Sequence, residues 1–191
     1  MFNKIILASQ SPRRKQLLEW AEIDFDVMVS ETDESFPAGS SFPDAAMHIA
    51  AEKARAVKPR SGGLPILAAD TIVVCENILL GKPLDRDDAI SMISTLSGKQ
   101  HSVITGVSIL CSEKETNFYD ETKVWFNKLS REEIEFYVDR HQPFDKAGAY
   151  AIQEWIGVVG IKKIEGDFYN VMGLPVNRVY RELERLSTCH S

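Results

Sequence analysis

The sequence predicts an α/β fold in which a mixed central β-sheet is flanked by helices. Apolar strand-like runs alternate with helical stretches over the first half of the chain, and strand pairs dominate the second half. That order argues against a purely doubly wound sheet. At 191 residues, with 44% hydrophobic and 26% charged, the chain suits one α/β domain over residues 1–191 with a substantial core.

The elements follow in order. Lys4–Ala8 reads as a buried strand. Ser11 is a good N-cap, and Pro12 fits the first helical position, where its missing N–H costs nothing, so a helix covers Pro12–Glu22. Phe25–Val29 is a second strand, and Ser30–Gly39 an acidic loop with Glu31, Asp33 and Glu34. Ser41-Phe42-Pro43-Asp44 opens a helix to about Val57, stopped before Pro59. Ile66–Cys75 is the strongest strand, turned at Glu76-Asn77 into Ile78–Leu80. Asp85 caps a helix through Ser97, and Gly98 ends it. Ser102–Leu110 and Thr116–Asn127 are further strands. Ser130-Arg131-Glu132-Glu133 is a capping box for a helix to about Asp139. Ile156–Ile164 and Asp167–Val171 read as a hairpin around Glu165-Gly166, and a last helix runs from near Pro175 to near Leu186.

The net charge of −6 argues against broad nucleic-acid binding. No apolar run approaches the roughly 18 residues of a membrane helix, and no signal-peptide pattern opens the chain. Cys75, Cys111 and Cys189 are scattered and odd in number, which suits a reducing, cytoplasmic setting and no structural zinc. His48, His101, His141 and His190 lack ligand spacing and read as surface or structural. Trp20, Trp125 and Trp155 read as core or rim.

Two places stand out chemically. In Ser9-Gln10-Ser11-Pro12-Arg13-Arg14, two arginines sit just inside a helix N-terminus that already carries partial positive charge. Such a pair makes sense against a strongly anionic group. Asp70 is a carboxylate in the apolar strand Ile66–Val74, sharing a face with Ile66, Ala68, Ile72 and Val74. It must be paired, metal-bound or at a cleft edge. Lys53 lies near the apolar stripe of its helix, Lys82 sits in the tight Gly81-Lys82-Pro83 exit, and Lys146 in Asp145-Lys146-Ala147-Gly148-Ala149-Tyr150. Glu34 has the reach to meet a metal. Nucleotide-binding P-loops, G-x-G-x-x-G turns, H-E-x-x-H and the G-x-S-x-G elbow are all missing from the sequence.

Taken together, the chain resembles the Maf family of nucleoside triphosphate pyrophosphatases almost end to end. The resemblance rests on Ser9-Gln10-Ser11-Pro12-Arg13-Arg14, Glu52-Lys53-Ala54, Ala69-Asp70-Thr71, Gly81-Lys82-Pro83, Leu96-Ser97-Gly98, Thr105-Gly106-Val107, the Asp145–Tyr150 segment and Gly173-Leu174-Pro175. It implies a Maf/ITPase-like mixed sheet with a deep cleft, and commonly a homodimer. It also implies hydrolysis of a nucleoside triphosphate to monophosphate and pyrophosphate with a divalent cation, Mg2+ or Mn2+. Asp70 corresponds to the family's proton acceptor, and Arg13, Thr71 and Gln153 to the positions tied to base choice. That set resembles the branch acting on dTTP and UTP.

The Gln153 amide both donates and accepts, matching the imide edge of uracil and thymine. The family often flanks this glutamine with glycines, whereas this chain has Ala151-Ile152-Gln153-Glu154-Trp155, whose bulkier neighbours would reshape the loop. On this resemblance Ser9, Ser11, Arg13, Arg14, Lys53, Lys82 and Lys146 hold the triphosphate, and Asp70 and Glu34 hold the metal. Asp70 either takes the proton or steers a water acidified by the metal. Two other outcomes remain open at this point: a nucleotide-binding regulator of cell division and septum formation without significant turnover, and a phosphatase releasing orthophosphate stepwise.

Overall fold

The computed structural model describes residues 4–29 and 32–188. Ser30, Glu31, Cys189 and His190 lie outside the described residues. The strands are β1 (Ile5–Leu7), β2 (Phe25–Val27), β3 (Ile66–Cys75), β4 (Ile78–Leu80), β5 (Gln100–Cys111), β6 (Lys114–Phe126) and β7 (Ile161–Glu165). The helices are α1 (Pro12–Trp20), α2 (Phe42–Val57), α3 (Arg86–Leu96), α4 (Arg131–His141), α5 (Trp155–Gly160), α6 (Phe168–Met172) and α7 (Val176–Thr188).

Among the described residues, the strands hydrogen-bond in the order β2-β1-β3-β5-β6-β7, with β4 paired to β3. β1 runs parallel to both β2 and β3, whereas β3/β4 and β6/β7 are antiparallel. The sheet is therefore mixed, as the change from alternating elements to strand pairs predicts. Helix starts follow local chemistry. The hydroxyl of Ser11 accepts from the Arg14 N–H at 3.5 Å and that of Ser41 from the Asp44 N–H at 3.3 Å. Asp85 accepts from the Asp88 N–H at 2.9 Å. Ser130 and Glu133 form the reciprocal capping box, at 3.2 and 2.7 Å. No helix among the described residues is long and apolar enough to cross a membrane.

The chain forms two compact units. The first holds the described residues up to Thr71, Thr105–Asp120 and those from Gly173 onward. Its core includes Ile6, Ala8, Ala54, Val57, Ile66, Ala68 and Leu110. Within it β5 comes so close to α2 that a Cβ on Gly106 would run into the Ala46 carbonyl and the Met47 nitrogen. Glycine is required there for space. The second unit, Ile72–Ile104 and Glu121–Met172, has its own core, with Ile93, Leu96, Val124, Tyr137 and Ile156 among its members.

The expected hairpin over Ile156–Ile164 and Asp167–Val171 is not formed. Trp155–Gly160 is helical, β7 pairs with β6, and Phe168–Met172 is a short helix. β-branched residues suggested a strand, but Ile156 is buried while Val158 and Val159 are exposed, which is the spacing of one helical turn. A Cβ on Gly157 would collide with the Ile152 carbonyl, so the tight entry into this turn needs glycine. At the second helix Asp167 accepts from the Tyr169 N–H at 2.9 Å, a local cap that competes with strand pairing. Asn170 then donates to the Val103 carbonyl and the Thr122 hydroxyl, each at 3.1 Å.

Candidate active site

In the first unit, alternation along β3 carries the face of Ile66 and Ala68 on to Asp70. Asp70 is 9% exposed, so its carboxylate needs a charged or hydrogen-bonding partner. The partner comes from α2. The Lys53 ammonium lies 2.7 Å from Asp70 Oδ1 and 2.8 Å from Glu34 Oε1. Three charged residues far apart in sequence thus meet on one nitrogen, one cation against two carboxylates. The Lys53 and Asp70 side chains are largely buried and that of Glu34 is half-exposed.

Thr71, next along the strand, belongs to a second network. Arg14 donates through Nε to the Gly173 carbonyl at 2.8 Å, through Nη1 to Ser9 Oγ at 3.1 Å and through Nη2 to Thr71 Oγ1 at 3.0 Å. Ser9 Oγ also accepts from the Ser11 N–H at 3.2 Å, which shapes the turn into α1. The Thr71 hydroxyl lies 3.0 Å from that of Thr105 and 3.4 Å from the Gly173 carbonyl. Arg14 therefore ties β1, α1, β3 and the start of the C-terminal segment together. Burial pushes its guanidinium below the ordinary value, while Asp70 and Glu34 pull it back up and Arg13 opposes them. The group remains a cation, since arginine does not lose its proton in proteins. Arg13 is partly buried in the same first turn.

The second unit holds Lys82, Lys146 and Gln153. Lys146 is buried, with Nζ 2.7 Å from Asp145 Oδ1 and 3.6 Å from Glu154 Oε1. Lys82 is exposed in its loop, and the preceding Gly81 carbonyl accepts from the Gly148 N–H at 3.0 Å. Gln153 is exposed, between buried Ile152 and half-buried Glu154. Tyr137, on α4, donates to Glu154 Oε2 at 2.5 Å and accepts from the Ala151 N–H at 3.1 Å.

Asp70 and Glu34 form a donor set that fits a hard divalent cation. Mg2+ is typically held by one or two carboxylates together with waters and substrate phosphates. Among the described residues no group of three or more His, Cys, Asp or Glu is placed to hold a metal. A divalent cation held by these two carboxylates would need its remaining oxygens from water or a ligand.

Sequence reasoning named Ser9, Arg14, Thr71, Lys53, Asp70 and Glu34, but neither the pairing of Lys53 with the two carboxylates, nor the Gly173 carbonyl, nor Tyr137 beside Glu154 in the second unit. The Gly173 carbonyl is a backbone group that no side-chain pattern reveals. Tyr137 stands beside Phe136 on an amphipathic helix, and nothing in its spacing signals a role.

The profile of Maf-like proteins matches residues 4–186. A dTTP/UTP pyrophosphatase from Cytophaga hutchinsonii is 50% identical over 182 residues, covering 95% of this chain and 84% of that protein. A protein of the same name from Parabacteroides distasonis is 48% identical over 183 residues, covering 95% of each chain. Another from Bacillus cereus is 49% identical over 182 residues, again covering 95% of each. With the profile running over nearly the whole chain and relatives near half identity along almost its full length, this chain belongs to the Maf family.

Proposed function

We propose that the chain hydrolyses dTTP and UTP to the monophosphate and pyrophosphate, clearing them or modified pyrimidine nucleotides from the cell's pools. The observation that carries this is the single ammonium of Lys53 shared by Asp70 and Glu34. The relatives at about half identity, each called a dTTP/UTP pyrophosphatase, support the same substrates.

Water attacks the α-phosphorus, the bond to the bridging oxygen breaks, and pyrophosphate leaves with that oxygen. The Asp70 carboxylate accepts the proton that the water gives up. Lys53 orients Asp70 and contributes positive charge towards the phosphates, the kind of positioning and charge neutralisation on which phosphoryl chemistry rests. Ser9, Ser11, Arg13 and Arg14 shape and charge the turn that receives the phosphate chain, and Lys82 and Lys146 add cations. Mg2+ or Mn2+, held by Asp70 and Glu34, would neutralise phosphate charge and acidify the water. Arg13, Thr71 and Gln153 select the base, with the Gln153 amide pairing with the imide edge. The free, buried thiols of Cys75 and Cys111 suit a reducing cytoplasm, and a homodimer belongs to the same proposal.

The test is product analysis after incubation with dTTP, UTP, CTP, GTP and ATP in Mg2+ or Mn2+. The expected result is monophosphate and pyrophosphate from dTTP and UTP. Asp70→Asn should abolish turnover and leave nucleotide binding by calorimetry largely intact. An active Asn variant removes Asp70 from the chemistry. Orthophosphate released stepwise, or binding with no turnover of any nucleotide, would replace the pyrophosphatase reading with a phosphatase or with a nucleotide-binding regulator of cell division.

A further inference from the structure

The segment Ala151–Glu154 is held on both sides of Gln153. At its start the Ala151 N–H donates to the Tyr137 hydroxyl at 3.1 Å, and at its end the same hydroxyl donates to Glu154 Oε2 at 2.5 Å. One phenolic oxygen, fully buried on α4, therefore bridges residues 151 and 154. The Glu154 N–H returns to the Ala151 carbonyl at 3.1 Å and closes the turn. Between these points the Ile152 side chain is buried, and its carbonyl lies against the Cα of Gly157, where any Cβ would collide. Glu154 has two further neighbours. Lys146 Nζ lies 3.6 Å from Oε1, and His141 Nδ1, on a ring stacked against Tyr137, lies 3.8 Å from Oε2. Of the four residues in the turn, only Gln153 is exposed.

We infer that Tyr137 and Glu154 are positioning residues for base selection: their hydrogen bond fixes the turn that presents the Gln153 amide to the pyrimidine. Discrimination by a hydrogen-bonding amide requires the amide to be held before the base arrives, because an amide free to turn can meet the wrong base equally well. A glycine at position 154 would have no carboxylate to latch. Glu154 thus supplies by side chain a restraint on the turn, and the bulkier flanks of Gln153 act as anchors. This inference rests on the proposed reading of Gln153 as the residue that meets the base.

The experiment measures kcat and KM for dTTP, UTP, CTP and GTP in the intact chain and in Gln153→Ala, Tyr137→Phe, Glu154→Ala and Glu154→Gln. Exchange of the Ala151 amide is followed by NMR in each. Tyr137→Phe and Glu154→Ala should raise KM for dTTP and cut the dTTP:CTP preference by about tenfold, the scale of one hydrogen bond, with kcat on dTTP nearly unchanged. Ala151 should exchange faster in Tyr137→Phe. Glu154→Gln keeps an oxygen to accept from Tyr137 and should keep the preference, which a role for the Glu154 charge would not predict, while loss of the preference in Tyr137→Phe, which leaves Glu154 in place, is what a packing role for Glu154 would not predict. If Gln153→Ala collapses the preference while Tyr137→Phe and Glu154→Ala keep it, the positioning role is wrong and the reading of Gln153 stands. If Gln153→Ala leaves the preference intact, both are wrong. If either positioning variant unfolds, the comparison of Glu154→Gln with Gln153→Ala still decides: a preference lost in Glu154→Gln with the amide of Ala151 still protected overturns the latch.

Discussion

His101 is 1% exposed, and its Nε2 meets the Tyr150 hydroxyl at 2.7 Å. The Phe126 ring packs edge-on to both. Nδ1 is buried without a partner among the described residues, so nothing nearby compensates a second proton. Burial lowers the His101 pKa from 6.5 to about 3 and pushes the Tyr150 phenol up, which keeps both groups neutral in the folded chain. The sign follows from proton counting. Below pH 6.5 the unfolded chain takes up a proton at His101 that the folded chain refuses, so stability present above that pH is lost as the pH falls towards 3. The slope from this residue is about 1.4 kcal/mol per pH unit. His101→Gln retains a partner for Tyr150 and removes the titration. Urea unfolding between about pH 7 and about pH 4.5 should show a flatter acid limb in the variant by that slope, and equal slopes would show that His101 does not hold its proton off. Asp70 was legible as a paired group for the opposite reason: a carboxylate in an apolar strand announces that it needs a partner. Which lysine answers was not legible, because Lys53 lies on an amphipathic helix where a lysine that merely reaches solvent looks the same.

At the scale of elements, α2 carries Lys53 and β3 carries Asp70, and the 2.7 Å contact between them depends on where α2 lies. That position is set by Gly106 on β5, whose Cα faces the backbone at Ala46 and Met47. Gly106→Ala must push backbone away, which a flexible side chain could have spared. Overpacking against rigid neighbours costs about 1–3 kcal/mol or more. The expected outcome is a loss of at least that size by chemical denaturation, together with a fall in kcat larger than the unfolded fraction explains. Wild-type stability and turnover in Gly106→Ala would mean that α2 is not seated by this contact. The helices with capping residues, such as Ser41, Asp85 and the Ser130–Glu133 box, were legible because each carries its stop and start in adjacent residues. The segment after Gln153 was not. Ile156, Val158, Val159 and Ile161 have strand propensity, and the glycine contact and the Asp167 cap that override it depend on neighbours distant in sequence or on backbone geometry.

For the molecule as a whole, a net charge of −6 sets a constraint on how a triphosphate can be taken up. An acidic chain repels a polyanion at long range, so attraction must come from local cations and from a divalent ion travelling with the nucleotide. If the Lys53 cluster receives both, as proposed, these two requirements become interdependent. Both carboxylates share the Lys53 ammonium, at 2.7 and 2.8 Å, so a divalent ion held by them, as proposed, would compete with Lys53. On the same proposal, the phosphate oxygens of a nucleotide would offer Lys53 another partner and would give a cation further ligands. Binding of the two should therefore be coupled, and reciprocally so. Mg2+ alone should shift the thermal midpoint little. Mg2+ with an α,β-imido analogue of dTTP at about 100 times its Kd should stabilise by about 2.7 kcal/mol. For a chain of this size that is about 5–10 °C. The analogue without Mg2+ should fall well short of the sum, and Lys53→Met should lose most of the coupling, because its cation no longer trades between carboxylate and phosphate. If Mg2+ alone produces the full shift, the cation site is built by the protein before the nucleotide arrives, and Lys53 does not gate it.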